Sequence, residues 1–335
     1  RSGVVAEYLE QLETRFALTD RPVDKWWYFW YLPGDVLRVV QELLAAEEDL
    51  TFRGATPVTR LTVDGSRVTG AVVRDGAGRE QRIRAGVVID ATGDGALAEA
   101  AGCEVRYGED AQADFGEAMA PAQRSDAAQQ CTWMFISQRL PEGDCDWVPR
   151  GLESGWCAPA AHDDAGAVGR QAGVYLHWGC RVDCGDTRDP AALAAAQQEG
   201  LVQMAPKLDE LREHGYAVHL APKIGVREQR RVLGEVVVTA NHLIDGVIPD
   251  DSLLVTQRPI DIWRRGHSQM DYPEVRPYGI PWRALIPRRL DNLLVAGKHM
   301  SGTHLAMASY RVQCLLGQLG QAAGVAAALC AQQQV

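Results

Sequence analysis

Gly86-Val87-Val88-Ile89-Asp90-Ala91-Thr92-Gly93-Asp94-Gly95 is the stretch on which the fold turns. Its first half is a short unbroken apolar run, the pattern of a strand covered on both faces in the middle of a parallel sheet. A glycine turn follows, and Ala96–Ala101 then reads as a helix. Strand, glycine turn and helix in that order are found at nucleotide sites, where bare backbone comes close to a bound group and the helix start offers free N–H donors.

Working outward, Leu293-Leu294-Val295-Ala296 repeats the buried-strand pattern and is closed by Gly297. Ser309-Tyr310-Arg311-Val312-Gln313 then reads as the start of a long helix over Arg311–Leu329, whose first N–H groups suit an anion. Gly317, Gly320 and Gly324 give that helix a small-residue face, expected to press closely on a sheet or a cofactor, although such stripes also serve plain helix packing. Upstream, the runs Thr51–Thr56, Val58–Val63, Val68–Arg74 and Glu80–Arg84 alternate around turns at Asp64-Gly65 and Asp75-Gly76 and predict a meander. Before it stand a helix over residues 4–13, an aromatic run from Trp26 to Tyr31, and a second helix capped by Asp35 and ending near Glu48. The aromatic run can line a substrate cavity or pack as a core strand.

From about 105 to 275 the texture changes to Pro- and Gly-rich loops, a helix near Pro190–Glu213, and strands near Gly173–Trp178 and Val232–Val238. The expected organisation is therefore residues 1–104 as part of a nucleotide-binding domain, 105–275 as an inserted α+β substrate domain, and 276–335 as the return to the first. The fold class is α/β, a mixed central sheet of Rossmann-like type with helices packed on it.

The chain has 335 residues, 46% hydrophobic and 23% charged, enough to bury a sizeable core. A formal charge of -10 leaves no global basic field for nucleic acid or anionic lipid. No uninterrupted apolar run reaches the ~18 residues of a membrane span, since Gln318 and Gln321 break the C-terminal stretch, so a soluble, cytoplasmic protein is expected. The 8 cysteines are scattered rather than set in a disulfide framework. His177, Cys180, Asp183 and Cys184 match no zinc spacing, and no metal site is expected. Gly266-His267-Ser268-Gln269-Met270 lacks the closing glycine of a nucleophile elbow.

Taken together, Val88–Gly95, Ile224-Gly225-Val226-Arg227-Glu228-Gln229-Arg230-Arg231-Val232-Leu233-Gly234-Glu235 and Ile280–Gly324 resemble an FAD-dependent oxidoreductase family, within the glutathione-reductase-like flavoproteins and related to fumarate reductase flavoprotein subunits. The resemblance implies FAD as cofactor, and cofactor contacts at Val58 by its backbone, at Ala91, Thr92, Gly93 and Asp94, at Gly297 and Lys298, and at Arg311, Val312 and Gln313. Lys298 is a departure, since many relatives carry an acid after that glycine; a pyrophosphate partner is the expected role. The family's opening strand and Gly-x-Gly-x-x-Gly turn are not in this sequence, and the chain as it stands is expected to hold FAD weakly or not at all.

A flavin reaction needs a proton relay and a cation to hold an anionic or carbonyl group. His304 and Arg283 are the first candidates for these roles, followed by His299 and Arg227. Each has a structural alternative: hydrogen-bonded core histidines, and a salt-bridged strand edge made of Arg227, Arg230 and Arg231. The expected activity is oxidation or reduction of a small organic substrate by hydride transfer at flavin N5, with an unidentified electron acceptor. Two other classes stay open, a tRNA-modifying flavoprotein and a non-catalytic subunit lacking its own nucleotide site.

Overall fold

A computed structural model describes residues 3–16, 31–144, 146–152, 156–159, 173–263 and 272–333. Trp26, Trp27, Tyr28, Phe29 and Trp30, and the Gly266–Met270 segment, lie outside the described residues. The chain divides into two compact units: residues 1–52, 130–184 and 189–226 form unit 1, and residues 53–129, 185–188 and 227–335 form unit 2.

Unit 1 holds α1 (Gly3–Phe16) and α2 (Pro33–Ala45), which pack on each other. Helix α2 begins three residues earlier than its sequence suggests, with Leu32 and not Asp35 at the cap position: Pro33 takes the first turn, where its missing N–H is not needed, and Asp35 sits inside that turn. The rest of unit 1 is a sheet ordered β7 (Trp156–Pro159), β8 (Val174–Val182), β6 (Cys131–Arg139), β9 (Tyr216–Leu220), all antiparallel. Helix α5 (Pro190–Glu213) lies on it. The Asp189 carboxylate accepts from Ala191 N and Ala192 N to start α5. Ala196, Gly200, Met204, Leu208 and Leu211 form its buried stripe. At Gly200 a Cβ would lie 2.9 Å from Cys180 Sγ, so only glycine lets the helix come this close. Trp133, Phe135, Val182, Tyr216 and Ile224 complete this core.

Unit 2 contains the expected meander: β1 (Val58–Asp64), β2 (Arg67–Arg74) and β3 (Glu80–Arg84) pair antiparallel in sequence order. The Thr51–Thr56 run is not a strand. The decisive stretch forms β4 (Val88–Asp90), its glycine turn, and α3 (Ala96–Ala100), which packs on β1. After β5 (Val105–Arg106) and α4 (Gln112–Phe115) the chain returns at β10 (Arg231–Val232), antiparallel to β5. Of the strand expected over Val232–Val238 only Val232 is in β10. Then come α6 (Ala240–Asp245), β11 (Ser252–Thr256) paired antiparallel with β12 (Tyr278–Pro281), a 3-10 turn at Trp282–Leu285, and β13 (Leu293–Val295).

β13 pairs with β4 in parallel, Leu293 with Val88 and Val295 with Asp90. The core of unit 2, with Leu285, Leu290, Leu293, Val295, Met300, Leu305 and Tyr310, surrounds this pair. The closing helix differs from expectation. α7 (His304–Tyr310) comes first, the backbone leaves helical geometry at Arg311 and Val312, and α8 (Gln313–Gln333) starts afresh. Ser309 and Tyr310 thus end one helix instead of opening the other. A Cβ at Gly320 or Gly324 would meet nothing within 4 Å, so neither glycine marks a close approach. With 21 residues and mean hydropathy 1.5, α8 is long and apolar enough to cross a membrane by length and composition, which the count of uninterrupted runs did not anticipate.

Candidate functional site

Because β4 and β13 run in parallel, they end side by side and their turns adjoin. Ala296 N donates to Asp90 O at 2.9 Å, carrying the ladder one step past the strands. Asp90 organises the first turn, its Oδ1 accepting from Thr92 N at 3.0 Å and from Thr92 Oγ1 at 2.7 Å. Asp94 Oδ1 accepts from Ala96 N at 2.9 Å and starts α3. Gly93 has φ 77 and Gly95 has φ 69, the left-handed values that let the chain reverse in so few residues. Lys298 reaches across from the second turn and donates its ammonium to Gly93 O, with Gln229 Oε1 at 3.5 Å.

His299 is buried beneath both turns, its Nε2 3.4 Å from Asp90 Oδ1. Burial pushes the Asp90 carboxyl up, but His299 and Thr92 outweigh it and hold the group below the usual carboxylate range. Gly297 has φ 155, and a Cβ there would lie 2.8 Å from His299 Nδ1. Its bareness therefore accommodates the His299 ring. Ala91 and Thr92 remain exposed at the mouth of the turn.

The Arg227–Val232 segment supplies a second, buried constellation. Arg231 is 0% exposed and is satisfied in every direction: Nε donates to Gly302 O at 3.0 Å, Nη2 to Gly108 O and Asp110 Oδ2 at 2.9 Å each, and Nη1 to Glu228. Glu228, equally buried, faces His304 Nδ1 at 2.9 Å through Oε1 and accepts from Gln129 N at 3.1 Å through Oε2. Asp110 Oδ2 also takes His304 N at 2.9 Å. Burial raises the Glu228 carboxyl, yet His304 and Arg231 together bring it below its ordinary value, so it stays ionised. A carboxylate at Nδ1 fixes that nitrogen as the N–H donor. Nε2 of His304 is buried and without a partner among the described residues.

The Glu228 backbone is held as firmly: its carbonyl accepts from Thr187 Oγ1 at 2.7 Å, and Thr187 N donates to Tyr107 Oη at 2.8 Å. From Glu228 the chain of contacts continues through Gln129. Gln129 Oε1 accepts from Arg311 Nη2 at 3.0 Å and from Trp263 N at 3.3 Å. Arg311 Nη2 also donates to Asp261 O at 2.6 Å. Burial weakens the hold of Arg311 on its proton. Arg311 Nε and Gln129 Nε2 are buried donors with no partner among the described residues. Arg227 lies with its guanidinium 4.0 Å from the centre of the Trp263 ring.

His304, Arg311 and Gln129 are thus brought together by one hydrogen-bond chain, with Arg227 over Trp263 at its end; Ala91, Thr92, Gly93, Asp94, Gly297, Lys298 and His299 meet at the paired turns. Val312 and Gln313 stand at the start of α8, which packs on β4 and β11. Arg283 belongs to neither group, since its half-exposed guanidinium is held by Asp251 at 3.0 and 3.1 Å. Val58 opens β1 with 39% exposure on the meander sheet. The three arginines expected to share a strand edge go separate ways: Arg227 to Trp263, Arg230 to Glu99, Arg231 to the buried hub. Glu228, Asp110 and Gln129 were not singled out from the sequence. A glutamate set between arginines in a short segment with apolar flanks was the available signal for Glu228; Asp110 and Gln129 carried none. Among the described residues no group of three or more His, Cys, Asp or Glu is placed to hold a metal.

The adjoining turns carry positive-φ glycines, and the buried constellation holds donors without acceptors among the described residues. A family model described as FAD dependent oxidoreductase matches residues 1–335. No curated protein matches the chain.

Proposed function

The chain belongs to the FAD dependent oxidoreductase family, whose cofactor is FAD, and from that premise we propose that it oxidises or reduces a small organic molecule with His304 as the residue that handles the proton. FAD, when bound, supplies a two-electron centre that takes or gives a hydride at N5. The turn Ala91–Gly95, the Gly297–Lys298 turn and the α8 start at Arg311, Val312 and Gln313 are the parts of this chain that would hold it. Lys298 staples the two turns through the Gly93 carbonyl and brings a positive charge to them. That charge and the N-terminal end of the α8 dipole favour an anionic partner.

His304 can hold or release a proton at Nε2 while Glu228 keeps Nδ1–H in place and compensates the imidazolium charge. Arg311 and Gln129 present the unpaired donors that an anionic or carbonyl group needs. Arg227, stacked on Trp263, keeps a cation beside them. The observation that carries the reading is the buried Glu228–His304 pair, with Nε2 unpartnered among the described residues, joined by Gln129 to Arg311 at the foot of α8. Treating 105–275 as an inserted substrate domain is part of the same proposal; the separate core of unit 1 supports it for residues 131–224, whereas Val232, Leu243 and Ile260 pack in the core of unit 2.

The test is optical. The full-length protein is expected to be yellow as isolated and to be bleached by dithionite or by its substrate. A colourless preparation that stays so after incubation with FAD would overturn the proposal.

A further inference from the structure

Glu117 follows α4 in unit 2 and is 1% exposed. Its Oε1 accepts from Ala240 N and from Thr303 Oγ1, each at 2.6 Å. Its Oε2 is buried without a partner among the described residues. A carboxylate oxygen left bare in the interior is costly, and a proton on it removes most of that cost. Thr303 has one hydroxyl hydrogen and gives it to Glu117. The lone pair on the same oxygen then accepts from Ala306 N at 3.2 Å, capping α7 at the residue before His304.

Asp110 and His304 are the charged groups felt by Glu117, and burial is the largest influence on it, raising its carboxyl above the ordinary value. Arg231 and Glu228 stand behind them, and on α6 His242 turns its Nδ1 to Thr239 Oγ1 at 2.8 Å. Asp110, Glu117 and Glu228 outnumber Arg231 and His304 even when His304 is protonated. Asp110 and Glu228 both bond to Arg231, whereas among the described residues Glu117 bonds to no cation.

We propose that Glu117 is a positioning residue of the His304 site: of the buried acids there it is the first to take up a proton, at its uncovered Oε2, and through Thr303 it fixes the turn that presents His304. The inference deepens the His304 reading and rests on it. For a group whose folded pKa is raised, the folded state keeps its proton to higher pH than the unfolded chain. Its stabilising contribution is complete at low pH and is lost as pH rises through the folded pKa.

The experiment is urea unfolding across pH for the wild type, Glu117→Gln, His304→Gln and the double variant, without substrate. Glutamine keeps the shape and the Oε1 acceptor but cannot titrate. The wild type should lose stability relative to Glu117→Gln as pH rises, over a window above the ~4.3 of an exposed glutamate. In the His304→Gln background that window should move further up, because the cation that favours the ionised carboxyl has gone. A flat difference, or the same window in both backgrounds, overturns the inference. If Glu117→Gln does not fold, Thr303→Val should move the wild-type transition up and Thr303→Ser should restore it; no movement overturns it equally. A separate measurement, the rate of flavin reduction by substrate in His304→Gln, decides the catalytic reading: an unchanged rate sinks that reading and leaves the stability titration interpretable by itself.

Discussion

Arg231→Met is the most informative single perturbation of this molecule. Methionine fills much of the volume of the arginine stem but withdraws the donors that reach Asp110, Glu228, Gly108 O and Gly302 O. Two buried carboxylates lose their fixed counter-charge at once. Removing one partner of a buried ion pair costs about 3–5 kcal/mol, a large part of the ~5–15 kcal/mol by which a protein is stable. At roughly 2–4 °C per kcal/mol for a unit of this size, the unfolding transition of unit 2 should fall by roughly 6–20 °C. Larger losses are not expected, because Asp110 keeps His304 N and Glu228 keeps Gln129 N and His304 Nδ1.

The deficit should therefore be electrostatic in kind. Differential scanning calorimetry should show it shrinking as pH falls and the abandoned acids take up protons, and shrinking at neutral pH in Arg231→Met combined with Asp110→Asn and Glu228→Gln. Arg231→Lys keeps the charge but not the planar fork, and should fall between wild type and Arg231→Met. A transition lowered by less than about 2 °C in Arg231→Met, or a triple variant with no recovery, would refute the argument that this guanidinium holds two buried acids.

Gly297→Ala places a Cβ 2.8 Å from His299 Nδ1 at a φ of 155. A cost of about 1–3 kcal/mol and weaker FAD binding are expected from thermal melts and a flavin titration, whereas Gly320→Ala, where a Cβ meets nothing, should be neutral or stabilising; equal melts for the two would count against the reading of Gly297. In unit 1, burial, with Lys207 adding to it, holds His177 neutral and depresses it to about 3. Since the unfolded chain protonates first, unit 1 should lose stability as pH falls from ~6.5 towards the folded value, by about 2 kcal/mol at pH 5, and His177→Phe should flatten that slope in an acid titration followed by tryptophan fluorescence; an unchanged slope would exclude His177 as its source.

The sequence makes legible the elements whose pattern is local. Glu80–Arg84 and Pro190–Glu213 are found where their periodicity puts them, and the turns at Asp64-Gly65 and Asp75-Gly76 are where the meander reverses. The pairing of β4 with β13, about 200 residues apart, was implied by two matching apolar runs that each end in a glycine. Strands β6, β9, β11 and β12 escaped although Gly or Pro stands beside each, as Gly215 does before β9 and Pro249 before β11, because their apolar residues follow partners elsewhere in the chain. The two-residue break at Arg311 and Val312 escaped for another reason. Helical spacing continues across it, and what ends α7 is the burial of Arg311 on Gln129 and Asp261, a tertiary cause.

The same distinction governs the site. Glycine turns announce themselves, since a positive φ narrows the choice of residue at that one position. Glu228 and Asp110 do not, because a buried acid earns its place only through the guanidinium and imidazole that surround it, and those come from distant segments. Arg231 could be read as one charge among three on a salt-bridged strand edge, yet of the three it alone is buried, and the direction its side chain takes depends on Gly108 and Gly302 offering carbonyls at the right places. What a linear reading can name is therefore the backbone that receives a cofactor. The groups that set the proton chemistry are defined by mutual compensation in the interior, and the charge balance among Asp110, Glu117, Glu228, Arg231 and His304 is where changes to this protein should be felt first.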